Sequence, residues 1–196
     1  LLLDGGSGYS MIDPMGKKSA PAACSDFDWA IFGQPRQDSI ALLNGPLAET
    51  PTLVGPETGR LLSLFAPYAS VPRPKLRLGF RPGHTVWLDG IQITPVAGQA
   101  LSGDGCAFLL KGEGQVALHL GGCRMTKELL TQIRDLVGGQ IDLLIAGEAS
   151  PVDMGDLRWD LRRVITCPGT VFVVASPLDA PFIQAAAQAA RETGRT

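Results

Sequence analysis

The chain has 196 residues, of which 45% are hydrophobic and 18% charged, with a formal net charge of −2. That composition supplies one sizeable core and excludes a disordered chain. No basic cluster stands out, which argues against a nucleic-acid surface, and no apolar run approaches the ~20 residues of a membrane helix.

The 24 glycines and 15 prolines imply many short elements joined by tight turns. Residues 1–8, Leu-Leu-Leu-Asp-Gly-Gly-Ser-Gly, read as a buried strand ending in a glycine turn. Gly5-Gly-Ser-Gly also suggests a phosphate loop, but no Lys-Ser/Thr follows and no clear helix opens, so that signal is weak. Residues 9–25 read as loop. A short apolar strand, Trp29 to Phe32, breaks at Gly33 into a polar turn, and a helix over about 38–44 ends at Gly45-Pro46. A strand at 51–55 leads into a helix with Pro56 in its first turn.

From Leu76 the apolar period changes to two. Leu76–Phe80, Thr85–Leu88, Ile91–Val96, Cys106–Lys111 and Gln115–Leu120 read as strands of an antiparallel meander, the last two joined at Gly112-Glu-Gly114. Thr126 caps a helix, Lys127 to Val137, closed by Gly138-Gly139. A buried strand at 141–146, a helix at 153–165, a buried strand at 170–175 and an alanine-rich helix at 180–191 complete the chain. No repeat or linker interrupts it, so residues 1–196 read as one domain.

The four cysteines, Cys24, Cys106, Cys123 and Cys167, fit no Cys-x-x-Cys or zinc spacing. They read as reduced and mostly buried, which suits a cytoplasmic protein, although sequence leaves a disulfide open.

The stretch Asp28–Ser39 resembles the signature of the metallo-β-lactamase-fold hydrolases, in which an apolar strand ends in Ser-His-x-His-x-Asp-His. Here the frame reads Gly33-Gln34-Pro35-Arg36-Gln37-Asp38-Ser39. Gln34, Arg36 and Ser39 stand at the histidine positions, and only Asp38 keeps the family residue. Further along, Gln99 takes the place of the third metal histidine, Gly122 that of the bridging aspartate, and Ala175 or Ser176 that of the last histidine. The run Asp142-Leu-Leu-Ile with Glu148-Ala-Ser is similar to the family's Asp-Leu-Leu-Ile-x-Glu-Ala-Thr. The resemblance covers nearly the whole chain. It implies an α/β (α+β) fold, a four-layer αββα sandwich, with both ends clipped against the family's terminal strands.

The chain has two histidines, fewer than a family-type dinuclear zinc site requires. A glutamine is a weak neutral donor, a glycine offers no side chain, and an arginine adds positive charge where a cation must be bound. No metal and no other cofactor is therefore expected. His119 lies one place off the ligand parity of its strand and reads as a packing residue, His84 as part of a turn. Cys123, at the rim of the old site, could offer a thiol, but no histidine adjoins it in sequence and a buried cysteine is the plainer expectation. Asp38 could cap its helix or pair with Arg36. Trp29, Trp87 and Trp159 read as core or interface residues.

The resemblance thus implies a pseudoenzyme with a binding or structural role, for instance as the inactive partner of an active homologue or in a homo-oligomer. The cleft candidates are Gln34, Arg36, Asp38, Ser39, Gln99, Gly122, Cys123 and Ser176, and Arg36 would suit a small polar or anionic ligand. The alternative is a hydrolase with an unorthodox metal or thiol site.

Overall fold

The apolar runs along the chain mark where its strands form. The computed structural model describes residues 2–4, 9–12, 28–34, 47, 49–65, 77–100, 103–121, 123–124, 126–137, 141–146, 171–174, 184, 188 and 191. The first sheet is built from β1 (Leu2–Asp4), β2 (Tyr9–Ile12), β3 (Trp29–Phe32), β4 (Thr52–Val54) and β5 (Arg77–Gly79), in that order. Helix α1 (Pro56–Phe65) follows β4. The second sheet runs β11 (Val171–Val174), β10 (Leu143–Ala146), β9 (Gln115–His119), β8 (Gly103–Gly112), β7 (Ile91–Ala100), β6 (Val86–Leu88). Helix α2 (Lys127–Val137) connects β9 to β10.

Strand β3 shows why the sheets stack. Its residues are apolar on both faces, as expected of a strand covered on both sides. Ile31 joins Leu53, Phe80, Ile93, Cys106, Phe108 and Leu110 in a core between the two sheets, with Trp29 packed against it. Ala30 and Phe32, on the opposite face, pack with Leu47, Val54 and Leu62 of α1. Phe80 and Phe108 meet edge to face, with ring centroids 5.7 Å apart. On the second sheet's outer side, α2 contacts β7 and buries Leu129, Leu130 and Ile133. The layers are helix, sheet, sheet, helix.

Helix α2 starts as the sequence predicts. Thr126 Oγ1 accepts from Leu129 N at 3.2 Å, and Thr126 O accepts from Leu130 N at 3.0 Å. The hairpins β6–β7 and β8–β9 turn on Asp89-Gly90 and Glu113-Gly114, with φ of 49° and 80°, and 50° and 77°. Positive φ at both central residues is the type I′ turn that matches strand twist. Asp142 fastens β10 beside β9, accepting from Val116 N at 2.8 Å through its carboxylate while its own N–H returns a bond to Val116 O.

Three expectations are corrected. Tyr9–Ile12 is a strand, paired antiparallel with β1, and not loop. The element described after the glycines is the strand β2 and not a helix, which counts against the phosphate-loop reading. β5 does not belong to the meander but pairs parallel with β4 in the first sheet. A period of two marks a strand, not its neighbours. Finally, β7 and β8 extend beyond Val96 and back before Cys106, paired from Gln92↔Lys111 to Ala100↔Gly103, so both strands are longer than their alternation marks.

Trp87 lies on the edge strand β6 and is 67% exposed, so it is no core residue. Cys106 and Cys123 are buried and form no disulfide with each other, as expected. His84 sits in a turn closed by its N–H bonding Arg81 O at 3.1 Å. Gln184, Gln188 and Arg191 are helical and exposed, in keeping with a helix over 180–191. The helices read at 38–44 and 153–165, together with Cys24, Cys167 and Trp159, lie outside the described residues. No helix among the described residues is long and apolar enough to cross a membrane.

Candidate functional site

The carboxyl ends of parallel strands leave main chain and turn residues facing a common edge, and such edges hold sites. Here Gly33 ends β3 and Gly55 ends β4. Gly33 brings the two sheets together: a Cβ there would stand 2.5 Å from Phe108 Cε2 and 3.0 Å from Cys106 O. Its carbonyl accepts from Cys106 N at 3.1 Å. Gly55 N bonds Phe32 O at 3.0 Å, and Gly55 O accepts the first helical bond of α1 from Gly59 N at 2.8 Å.

Against this edge stands the far end of the β7–β8 hairpin. A cleft of about 330 Å³ lies between them. One side is lined by Gly33, Gly55, Pro56, Glu57 and Pro82, the other by Ala97, Gly98, Asp104, Gly105 and Cys106. Strand alternation puts Gln99 on the same face as Ile93 and Ala97, and the register sets Gln99 opposite Asp104. Glu57 is held by Arg60, whose Nε donates to Oε2 at 3.0 Å and Nη2 to Oε1 at 2.5 Å. Hydrogen bonding from that guanidinium keeps the Glu57 carboxyl below its ordinary value.

A second set of contacts ties this edge to the turn after β9. The Gln34 side chain, 5% exposed, donates from Nε2 to Gly121 O. Arg124 N donates to Gln99 O at 2.7 Å. Cys123 N donates to Leu120 O at 2.9 Å, and its sulfur lies 3.0 Å from where a Cβ on Gly98 would stand. Three sequence-derived candidates, Gln34, Gln99 and Cys123, therefore meet around residues 120–124. Gln99 is exposed, whereas Cys123 is buried against Gly98. Arg36, Asp38, Ser39, Gly122 and Ser176 lie outside the described residues. His119 is buried, with its ring stacked on Phe108 at a centroid distance of 6.4 Å, the packing place expected for it.

No family model matches the sequence, and no curated protein matches it. Solved structures do. YhfI from Bacillus subtilis, a metallo-β-lactamase fold protein, matches with a TM-score of 0.68 at 12% identity, over 96% of this chain and 84% of that one. The chain has the metallo-β-lactamase fold. Igni18, a metallo hydrolase from the archaeon Ignicoccus hospitalis, matches with a TM-score of 0.63 at 15% identity, over 96% of this chain and 86% of that one. A Cronobacter sakazakii metallo-β-lactamase described by its HARLDQ motif matches with a TM-score of 0.53 at 14% identity, over 97% of this chain and 78% of that one. Identities this low establish the fold and not the chemistry.

The metallo-β-lactamase fold implies a metal at this edge, so the donors present must be tested against one. Zinc takes imidazole, thiolate and carboxylate ligands. Among the described residues no three of His, Cys, Asp and Glu come close enough together to hold an ion. At the position of the family's first histidine, Gln34 points its N–H, a donor that cannot ligate, at a main-chain carbonyl. The described residues do not fit a metal.

Glu57 and Asp104 line the cleft and escaped the sequence reading. Asp104 was hidden by the strand extension, since only the full β7–β8 register sets it opposite Gln99. Glu57 carried a signal, an acid in the first turn of a helix opened by proline, but that pattern usually means only a capped helix.

Proposed function

We propose that this chain is a metal-free domain of metallo-β-lactamase fold that binds rather than hydrolyses. The observation that carries this is the buried hydrogen bond from Gln34 Nε2 to Gly121 O. It links the turn after β3 directly to the turn after β9, the two places where the family frame has its first histidine and its bridging aspartate. An amide touching a carbonyl leaves no space for an ion between them. The link does by hydrogen bonding what a shared metal would do by ligation. The domain keeps its cleft of about 330 Å³, and its role is to hold a small polar ligand there or to serve as an inactive partner of an active homologue.

A second reading is a hydrolase with an unorthodox site. The string His-Ala-Arg-Leu-Asp-Gln that describes the Cronobacter sakazakii metallo-β-lactamase has an arginine two residues before an aspartate. Arg36 and Asp38 have that spacing. Assays against lactone, thioester, β-lactam and phosphodiester substrates, with and without added zinc, separate the two. Without a metal there is no activated water near neutral pH, so no turnover is expected. Zinc-dependent turnover of any of the four would overturn the metal-free reading.

A further inference from the structure

We infer that the cleft takes a small cationic ligand, a protonated amine or guanidinium, in preference to an anion. This rests on reading the cleft as a binding site and names what it binds. Its volume of about 330 Å³ is at the small end for ligand sites. Two parts of its wall are main chain, because the directions a Cβ would take at Gly33 and Gly98 run into Phe108 and Cys123. Neither lining residue can project a side chain into the cleft without displacing a neighbour. The charged side chains among the described lining residues are Glu57 and Asp104, both acids.

The two carboxylates differ. Glu57 sits in the first turn of α1, where it answers the positive helix end, and it is already bonded by Arg60. Asp104 is exposed and has no hydrogen-bond or ion-pair partner among the described residues. Across the strand pair stands the neutral amide of Gln99. A carboxylate that only accepts, beside an amide and main-chain groups, suits an N–H-rich cation. An anion would meet Asp104 at close range with no described cation in the lining to offset it.

The test is an amide chemical-shift titration with two probes, agmatine and succinate, on wild type and Asp104→Asn. Asp104 is exposed at the start of β8, so the variant is expected to melt with the wild type. Agmatine should shift the amides of Gly55, Gly98 and Gly105, and Asp104→Asn should weaken it about tenfold, the worth of one charge-assisted hydrogen bond. Succinate should leave those amides unmoved. Succinate binding in preference to agmatine would overturn the cationic assignment and leave the binding role standing. Agmatine affinity unchanged by Asp104→Asn would also overturn it. No shift with either probe would overturn both the assignment and the ligand-binding cleft, while metal content would judge the metal-free state on its own.

Discussion

Replacing Gln34 with alanine removes the side chain that joins the β3 turn to the β9 turn. Gln34 is 5% exposed, and Gly121, whose carbonyl it bonds, is buried. A buried carbonyl stripped of its donor costs about 1–3 kcal/mol. The lost methylene adds about 0.8 kcal/mol of burial. Gln34→Ala should therefore destabilise the domain by about 2–4 kcal/mol. With urea slopes of about 1–3 kcal/mol per molar, this moves the denaturation midpoint down by roughly 1 M. Gln132→Ala, on the exposed face of α2, is the control and should stay within about 0.5 kcal/mol. Gln34→Glu sharpens the test. An ionised carboxylate against Gly121 O repels it, whereas a protonated carboxyl can donate to it. The introduced group should titrate above its unfolded value, so its stabilisation is present at acid pH and lost as pH rises through the folded value. If Gln34→Ala melts with the wild type, or Gln34→Glu shows no recovery in acid, the amide is not the cross-link described here.

Gly33→Ala should cost about 1–3 kcal/mol by overpacking, since the new methyl would stand 2.5 Å from Phe108 Cε2; a neutral melt would mean the sheets can part there freely. Arg36→Ala should destabilise more than Arg191→Ala, a surface change expected within about 0.5 kcal/mol, if the arginine of the motif supplies the positive charge of the missing metal beside Asp38; equal melts would count against that substitution. The Glu57 carboxyl should titrate below 4.5 by NMR, because its hydrogen bond from Arg60 favours the charged form. That pairing is present at neutral pH and is lost as pH falls through the lowered value, and Arg60→Gln should return the midpoint upward.

Elements whose cause is local were legible in the sequence. Pro56 opening α1, Thr126 capping α2 and the Glu113-Gly114 turn each specify their structure within a few residues. The order of strands and helices carried the resemblance and with it the layered sandwich. What a period of two does not encode is the partner: β5 alternates like a meander strand yet pairs with β4. Nor does glycine-rich sequence reveal where a hairpin ends, so the pairing of Ala97–Ala100 with Gly103–Cys106, which sets Asp104 opposite Gln99, is not legible in it. Gln34 was picked out as a lost ligand, but its bond to Gly121, 87 residues away, exists only once both sheets are in place.

Elemental analysis of protein purified without a histidine tag tests the proposal of a metal-free cleft most directly. With Gln34 bonded to Gly121 O in place of a bridged ion, the protein should carry no stoichiometric zinc, iron or manganese. Close to one equivalent of any of these per chain, retained through mild chelation, would contradict it.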